Sequence, residues 1–280
     1  MGNFMKKIVL ALCLCLALIM PFQTVTHAIY NDTTAPLDLV INDTYVRPSQ
    51  PLIMYQNTVY IAGRSLCELF GATDFSWNSG TFTVNYGTNH AKITAGQSYF
   101  TVNGTTYDLP KPAAVVNSRI YVPVRFAQKT FNVSVEWNQG YCNVVLKKSG
   151  HSVPAKYVSD YQADHILWLA RIVQAESGNE PDAGKLGVAN VILNRVNSSQ
   201  YPNTIYGVIF DDKYGVQYTP SVDGTIYNTP SYASVMAAKR ALHGENNVGG
   251  CLFFANPNQG SWVAKNRTFY TQIGNHAFYL

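Results

Sequence analysis

Glu176 is the side chain with the clearest access to chemistry. It follows a stretch in which Ile166, Leu169, Ala170 and Val173 recur at three- and four-residue spacing, and it precedes Ser177-Gly178-Asn179. That spacing predicts an amphipathic helix that stops at a glycine break. A carboxyl partly buried at such an end is held above its ordinary pKa and is a competent general acid. From the residues alone, a solvated glutamate closing a helix remains the competing reading. Other chemistries lack their residues. The Gly-x-Ser-x-Gly elbow and His-Glu-x-x-His are both absent. His165, His243 and His276 are far apart, and Cys251 has no basic neighbour in sequence to activate its thiol. Two further carboxylates stay open as partners, Asp223 and Glu180. The Ser-Gly-Asn break and Pro181 argue against stacking Glu180 over Glu176, so Glu180 is expected to brace the next helix.

The elements that must position Glu176 follow from the same patterning. Asp160 or Asp164 is expected to open the first helix. A second starts at Pro181-Asp182, where proline suits the first turn and aspartate the positive end of the dipole. A third spans about 231–243 and ends at Gly244. Between them, 197–230 is Tyr-, Asn- and Gly-rich without helical period, which predicts a long functional loop system. Leu252–Ala255 reads as a buried strand. The segments 268–273 and 276–279 flank Gly274-Asn275 as a closing hairpin.

The N-terminal half is a duplication. Val59-Tyr60-Ile61-Ala62-Gly63-Arg64 recurs as Ile120-Tyr121-Val122-Pro123-Val124-Arg125, and Phe75-Ser76-Trp77-Asn78 as Val135-Glu136-Trp137-Asn138. The offset is 61 residues at the arginines and 60 at the tryptophans. Each unit predicts strand, short helix, strand, strand. Asn103-Gly104 between two short strand-like runs predicts a tight hairpin. Arg64 and Arg125 are expected to be structural ties.

Composition limits the partners. Charged residues are only 13%, and the net charge of +4 falls to +2 once Lys6 and Lys7 are set aside. No basic stripe supports nucleic-acid binding. Lys6 and Lys7 precede the apolar run Ile8–Met20, too short for a membrane span, and Thr26-His27-Ala28 offers a small-residue cleavage site. Residues 1–28 are therefore expected to be a signal peptide. Cys67, Cys142 and Cys251 match no zinc spacing. A Cys67–Cys142 pair stays open, with buried free thiols the plainer expectation.

The repeats resemble the copper amine oxidase-like N-terminal domain. The name carries no copper chemistry here, since His90 is the only histidine of that region. The second half resembles the SleB family of cell-wall hydrolases, the spore cortex-lytic enzymes. The resemblance rests on Trp168–Pro181, Gly187–Val196, Tyr201–Ile205, Val216-Gln217-Tyr218, Ala255-Asn256-Pro257, Ser261-Trp262 and Ile273–Tyr279. Ser177 departs from the alanine expected there. The resemblance implies an α+β chain: a small duplicated α+β domain (35–148, a wall-targeting or spacer module), a polar linker (149–159), and a lysozyme-like α+β catalytic domain (160–280). The two domains are expected to fold separately.

The resemblance also implies a secreted enzyme of the cell wall or spore cortex. It would cleave the β-1,4 link from N-acetylmuramic acid to N-acetylglucosamine in peptidoglycan glycan strands, as a lytic transglycosylase without metal or cofactor. Glu176 is its catalytic acid. Gln217, Tyr218, Asn256, Trp262 and Tyr270 are the expected substrate-groove residues, since amides and aromatic faces suit N-acetyl groups and sugar rings. A non-catalytic wall-binding protein and a two-carboxylate muramidase are the alternatives.

Overall fold

The computed structural model describes residues 35–213 and 215–280. The expected signal peptide, 1–28, lies outside the described residues. Two strands come first, β1 (Asp38–Ile41) and β2 (Thr44–Val46). The first repeat is β3 (Ile53–Tyr55), β4 (Thr58–Ala62), α1 (Gly63–Phe70), β5 (Asp74–Asn78) and β6 (Thr81–Tyr86). β7 (Asn89–Thr94), β8 (Tyr99–Val102) and β9 (Thr105–Asp108) extend β5–β6 into a five-stranded antiparallel meander. Asn103 and Gly104, at φ 50° and 82°, make the predicted tight turn between β8 and β9. The second repeat is β10 (Ala114–Val116), β11 (Arg119–Pro123), α2 (Phe126–Thr130), β12 (Ser134–Asn138) and β13 (Asn143–Lys147).

The two repeats join symmetrically. β4 and β11 pair antiparallel, with Tyr60 opposite Pro123, Ile61 opposite Val122 and Ala62 opposite Tyr121. Exchanging the repeats maps this register onto itself. The Tyr60 hydroxyl donates to the Pro112 carbonyl at 3.1 Å, and the Tyr121 hydroxyl donates to the Pro51 carbonyl at 3.3 Å. Equivalent phenylalanines, Phe70 and Phe131, stack at 4.8 Å. Cys67, Cys142 and Cys251 are buried free thiols, so Cys67 and Cys142 do not pair.

The second half is built from α3 (Ala163–Ser177), α4 (Asp182–Val196), α5 (Ile205–Ile209), α6 (Pro220–Asp223), α7 (Tyr232–Leu242), β14 (Phe253–Ala255), α8 (Trp262–Asn266), β15 (Phe269–Ile273) and β16 (His276–Tyr279). Helices α3, α4 and α7 pack on one another, and the sheet β14-β16-β15 covers a side of α4. Ile166, Leu169, Ala170 and Val173 are all fully buried, as their spacing requires. Burying each large aliphatic side chain of that set contributes about 1.5–3 kcal/mol. Gly187 lets α4 meet the sheet, since a Cβ there would lie 2.6 Å from the Phe278 ring.

Three expectations are corrected. The helix α3 starts at Ala163 with Gln162 as its cap, so neither Asp160 nor Asp164 opens it. The segment 197–230 is not structureless: it holds α5, α6 and a 3₁₀ turn at Thr225–Tyr227. Each is a single turn, too short to leave a period, and the first is capped by the Thr204 hydroxyl on the Gly207 amide at 3.0 Å.

The third correction concerns the linker and the independence of the two halves. Residues 149–159 lie against the first half rather than swinging free. The Asn42 amide donates to the carbonyls of Lys148 at 2.7 Å and His151 at 2.8 Å, and the Arg47 amide donates to Tyr157 at 2.7 Å. Val40, Tyr45 and Cys142 of the first half pack into the core of the second. The Gln162 Oε1 accepts from the Tyr45 amide at 2.9 Å. Lys239, fully buried on α7, donates to the carbonyls of Pro36 at 2.8 Å, Tyr141 and Cys142.

Candidate active site

Glu176 stands in the last turn of α3, half-buried. Burial pushes its carboxyl up to about 7, with the Asp223 charge adding a further like-charge push. Near neutral pH such a group is divided between its acid and base forms. Local chemistry holds the turn in place. The Ser177 hydroxyl donates to the Val173 carbonyl at 2.7 Å, so the departure from alanine ties the helix end without touching the carboxyl. Gly178 has an ordinary right-handed conformation (φ −54°). It is needed for space, because a Cβ there would sit 2.6 Å from the Gln174 carbonyl oxygen. The Gln174 Oε1 accepts from the Ser231 amide at 3.0 Å and the Ser234 hydroxyl at 2.9 Å, fixing the start of α7 beside α3.

The two candidate partner carboxylates behave differently. Glu180 accepts from the Asn275 backbone amide at 2.9 Å and the Asn275 side chain at 3.0 Å. Those bonds hold its pKa below the ordinary value and pin the β15–β16 turn to the start of α4. That is the bracing role expected of it. Asp223 is exposed at the end of α6, and its carboxylate accepts from Thr225 Oγ1 at 2.6 Å and the Thr225 amide at 2.8 Å. These bonds lower its pKa, so it remains ionised while its field reaches Glu176.

The expected groove residues divide. Tyr218 is buried at 3% exposure, and its hydroxyl accepts from Arg195 Nη1 at 2.8 Å. Its ring has no free face for a sugar, which corrects the substrate-binding expectation. It acts from behind. Burial pushes its phenol far up, the Arg195 charge pulls it back, and the charge of Glu176 raises it again. Phe254 stacks on Tyr218 at 6.4 Å and lies 5.2 Å from His276. Gln217 is exposed and turns its amide to the Gly215 carbonyl at 2.9 Å. Asn256 follows β14 and caps the next turn by accepting from the Asn258 amide at 3.0 Å. Trp262 is 61% exposed at the start of α8, which packs on β14. Tyr270 is on the opposite edge strand, β15, with its ring against Gly249.

Sequence reasoning missed an aromatic shelf along α3. Trp168 meets Tyr206 edge-on at 5.0 Å and Tyr227 at 6.1 Å, and the Arg171 guanidinium lies 4.9 Å from the Trp168 ring. Tyr206 and Tyr227 are half-exposed and sit in single turns that periodicity cannot detect.

Residues 179–279 match the Cell Wall Hydrolase family, and this region is a domain of that family. The matched segment begins just past Glu176. Residues 40–146 match the copper amine oxidase N-terminal domain. Among similar proteins, the spore cortex-lytic enzyme of Bacillus cereus is 36% identical over 162 residues, covering 55% of this chain and 60% of that protein. The spore cortex-lytic enzyme of Halalkalibacterium halodurans is 37% identical over 129 residues, covering 45% of this chain and 37% of that protein. The chain thus spans about three fifths or less of the length of these relatives. The catalytic domain of the germination-specific lytic transglycosylase SleB from Bacillus anthracis is 37% identical, covering 43% of this chain and 98% of that one, at TM-score 0.40.

Proposed function

We propose that this chain is a secreted enzyme that cleaves peptidoglycan of the spore cortex, acting as a lytic transglycosylase with Glu176 as its single acid and base. The observation that carries this reading is the Glu176 carboxyl held at about 7 on the helix that leads into the segment matching the Cell Wall Hydrolase family. Glu180 is engaged with Asn275, and Asp223 is exposed and tied to Thr225. One carboxyl poised near neutrality suits a reaction that needs an acid first and a base second.

In the first step Glu176 gives its proton to the glycosidic oxygen, which leaves as the 4-hydroxyl of N-acetylglucosamine. The bond from muramic C1 to that oxygen breaks, and positive charge develops on the sugar. The muramic C6 hydroxyl then attacks C1 and returns its proton to Glu176. A 1,6-anhydro ring closes, Glu176 is reprotonated, and no water is consumed. Tyr206, Tyr227 and Trp262 offer exposed rings for sugar faces. Residues 1–28 serve as the export signal, which places the enzyme at the wall or cortex.

Mass spectrometry of the digest made in isotopically labelled water tests the reading. Products ending in 1,6-anhydromuramic acid without label are expected. Labelled reducing-end muramic acid would require water attack and a second carboxylate. Cleavage at the stem-peptide amide would overturn the glycosidic reading.

A further inference from the structure

The duplicated domain carries two clefts built from corresponding positions of the two repeats. One, of about 580 Å³, is lined by Arg64 and Trp77 of the first repeat and by Ser118–Ile120, the hairpin of the second. The other, of about 920 Å³, is lined by Arg125 and Trp137 of the second repeat and by Asn57–Val59, the hairpin of the first. The same symmetry that pairs β4 with β11 thus builds each cleft from the arginine and tryptophan of one repeat and the turn of the other.

These side chains stay open to solvent, although the Trp137 indole N–H donates to Gln139 Oε1 at 2.8 Å. Trp77 and Trp137 are each 40% exposed. Arg64 and Arg125 are exposed, and neither guanidinium makes a hydrogen bond or ion pair among the described residues. Arg64 lies over the Phe75 ring at 5.6 Å, which leaves its donors free. The expectation that these arginines are structural ties is therefore corrected. A tie would be paired, and a core tryptophan would be covered.

We infer that the two clefts are glycan-binding sites for a carboxylate-bearing hexosamine polymer. A flat indole face stacks on a pyranose ring, a free guanidinium fork matches a carboxylate, and turn amides and hydroxyls meet sugar hydroxyls. Both volumes fall in the range of small-ligand clefts, roughly 300–1,000 Å³. The identity of the polymer as peptidoglycan rests on the function proposed above. The larger cleft also borders the catalytic domain. Tyr232 of α7 lines it, with its hydroxyl 3.1 Å from Cys142 Sγ, and the adjacent Ser231 is bonded to Gln174 beside Glu176. Two equivalent sites on one polymer act together, so the second binding event is intramolecular.

Co-sedimentation of the full chain with insoluble peptidoglycan tests this, with Glu176→Gln present throughout so that the ligand is not digested. Trp77→Ala or Trp137→Ala is expected to weaken binding roughly 2- to 10-fold, the scale of one aromatic contact. The double variant is expected to lose at least the product of the two. The double variant Arg64→Gln/Arg125→Gln, at exposed and unpaired positions, decides the matter if the tryptophan variants unfold. It should bind peptidoglycan less well and move towards the parent's weaker binding to chitin, which lacks carboxylates. Binding undiminished in folded double variants, or equal binding to chitin and peptidoglycan, overturns the proposal. Product analysis with the unsubstituted enzyme is independent: cleavage with cleft-independent binding would reject only the clefts, and cleft-dependent binding without cleavage would reject only the proposed activity.

Discussion

Lys239 and Asp38 form an ion pair at 2.9 Å in which both side chains are buried, 0% and 4% exposed, although they lie in different halves of the chain. Burial pushes the Asp38 carboxyl up, yet the bond from His243, the Lys239 charge and the Tyr161 hydroxyl outweigh it and leave the pKa lowered. Lys239→Met removes the cation and leaves the buried carboxylate with Tyr161 and His243 alone, at a cost of about 3–5 kcal/mol. In a chain of this size that is a fall of roughly 10 °C in Tm by calorimetry. A Tm within about 2 °C of the parent would show that the pair does not join the halves. A chain beginning at Lys156 loses the Pro36, Tyr141 and Cys142 carbonyls that hold Lys239, and should melt below the full chain for the same reason. Because the folded pKa of Asp38 is depressed, its contribution is present above the ordinary carboxylate range and is lost as pH falls through the folded value.

Glu176→Gln keeps size and hydrogen bonding but removes the transferable proton. Activity on peptidoglycan should fall at least about 10²–10⁴-fold with the fold retained. Stability should move the other way. The native carboxyl titrates near 7 and the unfolded one near 4.5, so the native state holds the extra proton between those values. Wild-type stability therefore declines as pH rises through that window. Glutamine escapes the decline. Above pH 7 the variant is expected to be more stable by about 1–3 kcal/mol, allowing for partial exposure, with no difference near pH 4. Urea unfolding at both pH values measures this, and a variant less stable than the parent at pH 8 would contradict the buried-acid assignment.

Asp223→Asn separates an electrostatic neighbour from a second catalytic carboxylate. Removing the like charge should lower the Glu176 pKa and shift the alkaline limb of kcat/KM towards lower pH, with activity largely kept near pH 5. A loss as deep as that of Glu176→Gln, at every pH, would instead favour the two-carboxylate mechanism.

Much of this protein was legible in its residues because the signals are local or repeated. The four apolar positions of α3 and the Asn103-Gly104 turn are decided within a few residues of chain. The self-complementary pairing of β4 with β11 follows from a duplication visible as an offset. Glu176 could be singled out by its position at a helix end beside glycine. What its environment does to it could not be read, because that depends on burial by the folded chain and on the charge of Asp223, more than forty residues away. Tyr218 looked like a groove residue by type, and only the Arg195 guanidinium bonded to its hydroxyl shows that it is core. Arg64 and Arg125 carried the repeat in sequence, but whether they are paired or free depends on neighbours brought together by strand crossing. The polar composition of 149–159 suggested a tether. The buried Lys239–Asp38 pair, formed between residues some two hundred positions apart, decided that the halves are joined, because a charge taken out of water must find its partner wherever the fold puts it.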